Sequence, residues 1–176
     1  MKRTVMLSAL AALAVVVALS VLLATQHPVG GATSFPSPLL GTRAPNFASP
    51  QLSGGTFELR AHRGDIVVLN FWASWCGPCV TEAPELSSFA WRERHHRVVV
   101  EGVVFNDTVA AARGFARHYG SLYSSVIDHA GAIANQYGVT SPPTTFVIDR
   151  RGRVVVELIG ALSAAQLVAV VDGVHP

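Results

Sequence analysis

The sequence predicts an α/β domain: a central mixed sheet flanked by helices, with an N-terminal β-hairpin extension and a single apolar segment ahead of it. Three observations lead there. Two nearly continuous apolar runs, Ile66 to Trp72 and Val98 to Phe105, are separated by a helix-length stretch, the pattern of a right-handed crossover between buried parallel strands. Two later runs, Thr144 to Ile148 and Val154 to Leu158, flank the turn Asp149-Arg150-Arg151-Gly152 and read as an antiparallel hairpin. Helical segments follow each half, so the order is βαβα and then ββα.

Taken in order, the chain of 176 residues opens on Lys2 and Arg3, followed by Thr4 to Thr25, 22 residues without a charge. As a helix that run spans about 33 Å, against a bilayer core of about 30 Å. Residues 1–27 therefore read as a signal-anchor or transmembrane segment, with the basic end cytoplasmic and the remainder outside. A cleaved signal peptide is the rival, with Ala18 and Ser20 as a small-x-small site; the protein is then secreted. Residues 28–42 are rich in Gly, Pro and Ser and read as a flexible linker. The domain proper is expected over 43–176.

Asn46 to Ser49 and Thr56 to Glu58 flank Gly54-Gly55 as a hairpin. Strand Ile66 to Trp72 leads to Cys76 and a helix from about Gly77 to His95, which Pro84 is expected to kink. After strand Val98 to Phe105, a helix runs from Thr108, its N-cap, to Tyr119. A short strand, Ser124 to Ile127, and a short helix, Ala130 to Tyr137 capped by Asp128, precede the hairpin. Ser163 caps a last helix to about Val171, with Leu162, Leu167 and Val170 as core positions.

Beyond Arg3 the chain carries 11 Arg and 11 Asp plus Glu, so the domain is near neutral. That argues against a nucleic-acid partner. His95-His96 at a helix end reads as a solvated terminus rather than a copper site, and no metal is expected.

The two cysteines, Cys76 and Cys79, lie in FWASWCGPCVTEAP. A disulfide across two intervening residues closes too short a loop to stabilise much. Zinc needs two further ligands, and no second C-x-x-C or suitably spaced histidine supplies them. A redox pair fits. Cys76 follows a buried strand and opens a helix, whose free N–H groups and positive end stabilise a thiolate. Pro78 fits the first turn, where its missing N–H costs little. Cys76 is the candidate nucleophile, and Cys79, one turn on and pointing inward, the candidate resolving thiol.

FWASWCGPC after an apolar strand, with SPPTTFVID beginning 65 residues beyond Cys76, resembles the thioredoxin superfamily over about Gly41 to Gly173. GTRAPNF, LNFWASWCGPC, Glu82 before Pro84, and YGV followed by PTTFVIDRRGRVV resemble its exported TlpA, ResA and CcmG (DsbE) branch. The resemblance implies a thioredoxin fold and a membrane-tethered, extracytoplasmic thiol–disulfide oxidoreductase without a cofactor. Its partners would be thiol- or disulfide-containing exported proteins, apocytochrome c among them, and a membrane thiol protein as electron donor. It also implies a cis-proline at Pro143 facing the dithiol, with Gly77, Pro78, Pro142 and Pro143 at the substrate.

Two positions depart from ordinary thioredoxins. Pro142 replaces a residue whose N–H would pair with a bound peptide. Asn70 replaces a buried Asp and cannot titrate. Glu82, one turn after Cys79, is the substitute candidate for moving protons to and from a thiol, although acids are also favoured early in a helix. Trp75 is a platform for substrate or a packing residue; Trp72 belongs to the core. The leading reading is a reductant. An oxidant of exported proteins, and a thiol chaperone or metal carrier that only binds, are the alternatives. A peroxidase is weaker still, because its P-x-x-x-T-x-x-C setting is absent.

Overall fold

The computed structural model describes residues 33–34 and 37–174, and, nearer the N-terminus, 13 and 15–18. Residues 13 and 15–18 are helical and exposed; the rest of the expected signal-anchor or transmembrane segment lies outside the described residues. Among the described residues no helix is long and apolar enough to cross a membrane.

The elements of the domain are β1 (Thr33–Ser34), β2 (Ala48–Pro50), β3 (Thr56–Glu58), β4 (Ile66–Trp72), α1 (Gly77–Glu93) and β5 (Val98–Val104). Then come α2 (Val109–His118), β6 (Ser124–Ile127), α3 (Ala132–Tyr137), β7 (Thr144–Ile148), β8 (Val154–Ile159) and α4 (Ala164–Asp172). One sheet runs in the order β1-β8-β7-β4-β5-β6, and β2 and β3 form a separate hairpin. Strands β4, β5 and β6 are parallel, while β7 runs antiparallel to both β4 and β8. This is the mixed sheet of a thioredoxin fold.

β4 is buried at every position, as its nearly continuous apolar run predicts when both sheet faces are covered. On one face, Val67, Leu69 and Phe71 pack with Phe47 and Phe57 of the hairpin segment and Ile133 and Tyr137 of α3. On the other, Ile66 and Val68 pack with Leu86 and Phe89 of α1 and Leu167 and Val171 of α4. A third cluster joins Trp72, Cys76 and Cys79 to Ala112 and Phe115 of α2.

Three local differences from the expected layout follow. α3 begins at Ala132 because Ala130 (φ 56°) and Gly131 (φ 69°) take left-handed backbone. Asp128 still caps it from a distance, accepting the N–H groups of Ile133 at 2.8 Å and Ala134 at 2.9 Å. In α4, Leu167 and Val171 are buried, while Val170 is only half-buried against the same cluster. Within the stretch read as a linker, Thr33–Ser34 pair with Leu158 and Ile159 as an edge strand, and the Gly41 N–H donates to the Val154 carbonyl at 2.8 Å. α1 continues through Pro84.

Candidate active site

Beyond Trp72 the chain turns through residues 73–75 and delivers Cys76 as the N-cap of α1, with extended backbone (φ −83°, ψ 108°). The Cys79 N–H donates to the Cys76 Sγ at 3.2 Å. The sulfur thus occupies the place where a helix N-terminus concentrates unpaired donors and positive potential. Cys76 and Cys79 are joined by a disulfide, and both are almost wholly buried, at 3% and 2% exposure. Gly77 and Pro78 stand exposed at the rim.

Trp75 is 57% exposed, so it is a surface residue and no part of the core. Its Nε1 donates to the Asn106 carbonyl at 3.1 Å. Next to it, the Ser74 N–H donates to Asp107 Oδ2 at 2.6 Å, so the segment beyond β5 holds the approach to Cys76. Across the sheet end, the Pro142–Pro143 peptide bond is cis. Thr144 pairs with Phe71, which places Pro143 at the same end of β4 as the disulfide. Pro143 is buried and Pro142 half-buried, and the Pro143 carbonyl accepts the Gly160 N–H at 2.9 Å.

Glu82 is 1% exposed. Three residues after Cys79, it lies on the same side of α1 one turn on. Its Oε2 accepts from Asn70 Nδ2 at 3.0 Å and its Oε1 from the Leu162 N–H at 3.1 Å. Burial pushes its pKa up to about 7, with the bonds from Asn70 and Leu162 pulling the other way. Asn70 also donates to Thr145 Oγ1 at 2.9 Å, its direct partner across β4 and β7, while its own Oδ1 is buried without a partner. One titratable carboxyl therefore lies one helical turn from Cys79, held by a neutral amide.

Sequence reading missed a second buried carboxyl. Glu101, in the middle of β5, is 1% exposed; it accepts from Ser124 Oγ at 2.6 Å and from Gln51 Nε2 at 3.1 and 3.2 Å. Burial again raises its pKa to about 7. The signal was there, a glutamate inside the valine run VVVEGVV. Glu101 pairs with Leu69 and with Ser124, in mid-sheet, and clips the β2–β3 hairpin to β6. The His95-His96 pair lies in the turn after α1, which stops at Glu93, with His96 Nδ1 2.9 Å from Glu93 Oε2. Among the described residues no cluster of three or more His, Cys, Asp or Glu is placed to hold a metal.

Known proteins share this arrangement. Residues 40–157 match the AhpC/TSA family. The chain is 34% identical over 137 residues to the thiol-disulfide oxidoreductase ResA of Bacillus thuringiensis (strain Al Hakam), covering 78% of this chain and 79% of that one. It is 37% identical over 133 residues to the thiol:disulfide interchange protein DsbE homolog of Paracoccus denitrificans (strain Pd 1222), covering 73% and 71%. Among solved structures, a secreted Mycobacterium tuberculosis disulfide oxidoreductase homologous to E. coli DsbE is similar at a TM-score of 0.65 and 27% identity, over 72% of this chain and 95% of that one. The chain belongs to the AhpC/TSA family, as a thioredoxin-fold thiol–disulfide oxidoreductase of the ResA and DsbE type.

Proposed function

We propose that the protein works as a reductant outside the cytoplasm, tethered by residues 1–27, and reduces disulfides of exported clients such as apocytochrome c. The observation that supports this direction best is Glu82. An ionised, buried carboxylate one turn from Cys79 opposes a second negative charge there, which disfavours the thiolate form and favours giving electrons away.

The steps balance as follows. The Cys76 thiolate, formed at the helix N-terminus, attacks one sulfur of the client disulfide; the client S–S bond breaks and its other sulfur leaves as thiolate. Glu82 takes the proton of Cys79, whose thiolate then attacks Cys76 Sγ in the mixed disulfide. The second client sulfur leaves as thiolate and is protonated, and Cys76–Cys79 remains oxidised. Two electrons have passed to the client, and a membrane thiol protein restores the dithiol. Trp75, Gly77, Pro78, Pro142 and Pro143 form the rim against which the client peptide lies.

The N-terminal half of this proposal rests on Lys2, Arg3 and the uncharged run behind them. The chemistry is tested with reduced protein and insulin or apocytochrome c as substrate. Alkylating Cys76 is expected to abolish turnover, and Cys79→Ser to trap the mixed disulfide. Turnover that survives alkylation contradicts an enzyme and favours a protein whose thiols only bind.

A further inference from the structure

At the end of the sheet opposite the disulfide lies a cavity of about 230 Å³ that the redox steps do not use. Its floor is Val67 and Ile148, partners across β4 and β7. From Val67 to Trp72 the strand runs about 17 Å at roughly 3.3 Å per residue, so the cavity is remote from the dithiol.

Four basic side chains, Arg43, Arg60, His62 and Arg63, line the walls, with the Asn46 amide beside them. Arg60 is paired with Glu58. Arg43 and Arg63 have no carboxylate partner among the described residues. Arg63 is seated: its Nη1 donates to the Arg151 carbonyl at 2.7 Å, and its guanidinium lies over Gly152, where a Cβ would stand 2.9 Å from Cζ. Gly152, at φ +75°, is thus needed both for the β7–β8 turn and for the arginine above it. Asp149 is the single acid of the lining, and its Oδ1 already accepts the N–H groups of Arg151 at 2.9 Å and Arg153 at 2.8 Å. With Arg60 paired to Glu58 and His62 3.5 Å from Asp65, the two guanidinium groups of Arg43 and Arg63 against the one carboxylate of Asp149 leave a surplus of positive charge in a hollow with an apolar floor.

We propose that this cavity binds a phosphate group, either free phosphate or the headgroup of an anionic phospholipid. Planar guanidinium forks match phosphate oxygens in pairs, and a tetrahedral dianion can accept from several walls at once. The volume falls below the range of about 300–1,000 Å³ for drug-sized ligands, which suits a small anionic group.

The test uses the full chain in neutral detergent and follows Tm against inorganic phosphate, with chloride at equal ionic strength as the reference. A ligand bound only by the native state raises Tm saturably. The expected result is a saturable rise with phosphate, with the half-saturating concentration at least tenfold higher in Arg43→Gln and Arg63→Gln and unchanged in Arg117→Gln on α2. Arg43→Gln disturbs no hydrogen bond of the β7–β8 turn, so it tests the site without the risk carried by Arg63. The same titration follows on chain reconstituted into phosphatidylcholine vesicles with and without phosphatidylglycerol. A phosphate response abolished by phosphatidylglycerol assigns the site to a headgroup; a response that persists assigns it to free phosphate. Phosphate behaving as chloride does, or Arg117→Gln weakening the response as much as Arg43→Gln, overturns the proposal.

Discussion

At the scale of single residues, the proposed chemistry turns on Glu82 and Asn70. Glu82 titrates near 7 because it is buried, and Asn70 holds it in place without adding a second proton. If Glu82 serves as the base for Cys79, reductase activity rises with pH through about 7, as the carboxyl ionises. Glu82→Gln is expected to remove that inflection and slow turnover by about 10²-fold, the low end of general acid–base contributions. Superimposable pH profiles and thiol titrations would instead leave Glu82 a structural clamp on Leu162. Pro142 makes a different prediction. It cannot donate to a bound strand, so Pro142→Val is expected to lower KM for peptide substrates by restoring one backbone bond. An unchanged KM and kcat removes the idea. Of these residues, Cys76, Cys79 and Glu82 were legible because their relation is local to one helix. The Asn70–Thr145 and Glu82–Leu162 bonds join positions 75 and 80 apart in sequence, which only the folded sheet brings together.

At the scale of elements, nearly continuous apolar runs, broken only by Asn70 in β4 and by Glu101 and Gly102 in β5, made both strands readable nearly to the residue, since a doubly covered strand has no solvent-facing side that needs polar residues. α3 was misplaced at its start because nothing in Ala130 announces a left-handed backbone. The docking of the β2–β3 hairpin through Gln51, Glu101 and Ser124 was equally hidden, as each residue alone is unremarkable. Two glycines separate packing from propensity. A Cβ on Gly102 in β5 would stand 2.3 Å from Ser125 Oγ and 2.6 Å from Trp72 Nε1, atoms that hydrogen-bond each other at 3.1 Å. Gly102→Ala is therefore expected to destabilise the fold by about 2 kcal/mol, as overpacking typically does. A Cβ on Gly114 in α2 meets nothing within 4 Å. Gly114→Ala is expected to stabilise by roughly 0.5–1 kcal/mol, the helix propensity gain. Denaturant midpoints that move in the same direction for both variants would contradict this packing.

For the whole molecule, two buried carboxyls shape stability against pH. Glu82 and Glu101 both have native pKa values raised from 4.5 to about 7. The native state then holds more protons than the unfolded chain between those values, so the stabilisation is complete below about pH 4.5 and is lost as pH rises through 7. Each carboxyl contributes on the order of 3 kcal/mol at most to that fall. Urea unfolding at pH 5 and pH 8 is expected to show higher stability at pH 5, with the difference roughly halved in Glu101→Gln; equal stability at both values contradicts the burial argument. In the proposed mechanism the same ionised Glu82 underlies the direction of electron flow, and the reduction potential of the Cys76–Cys79 couple, equilibrated against glutathione at pH 7, tests it most directly. A reductant requires a value near the roughly −270 mV of thioredoxin; a value near the roughly −120 mV of strong disulfide-forming oxidants would contradict it.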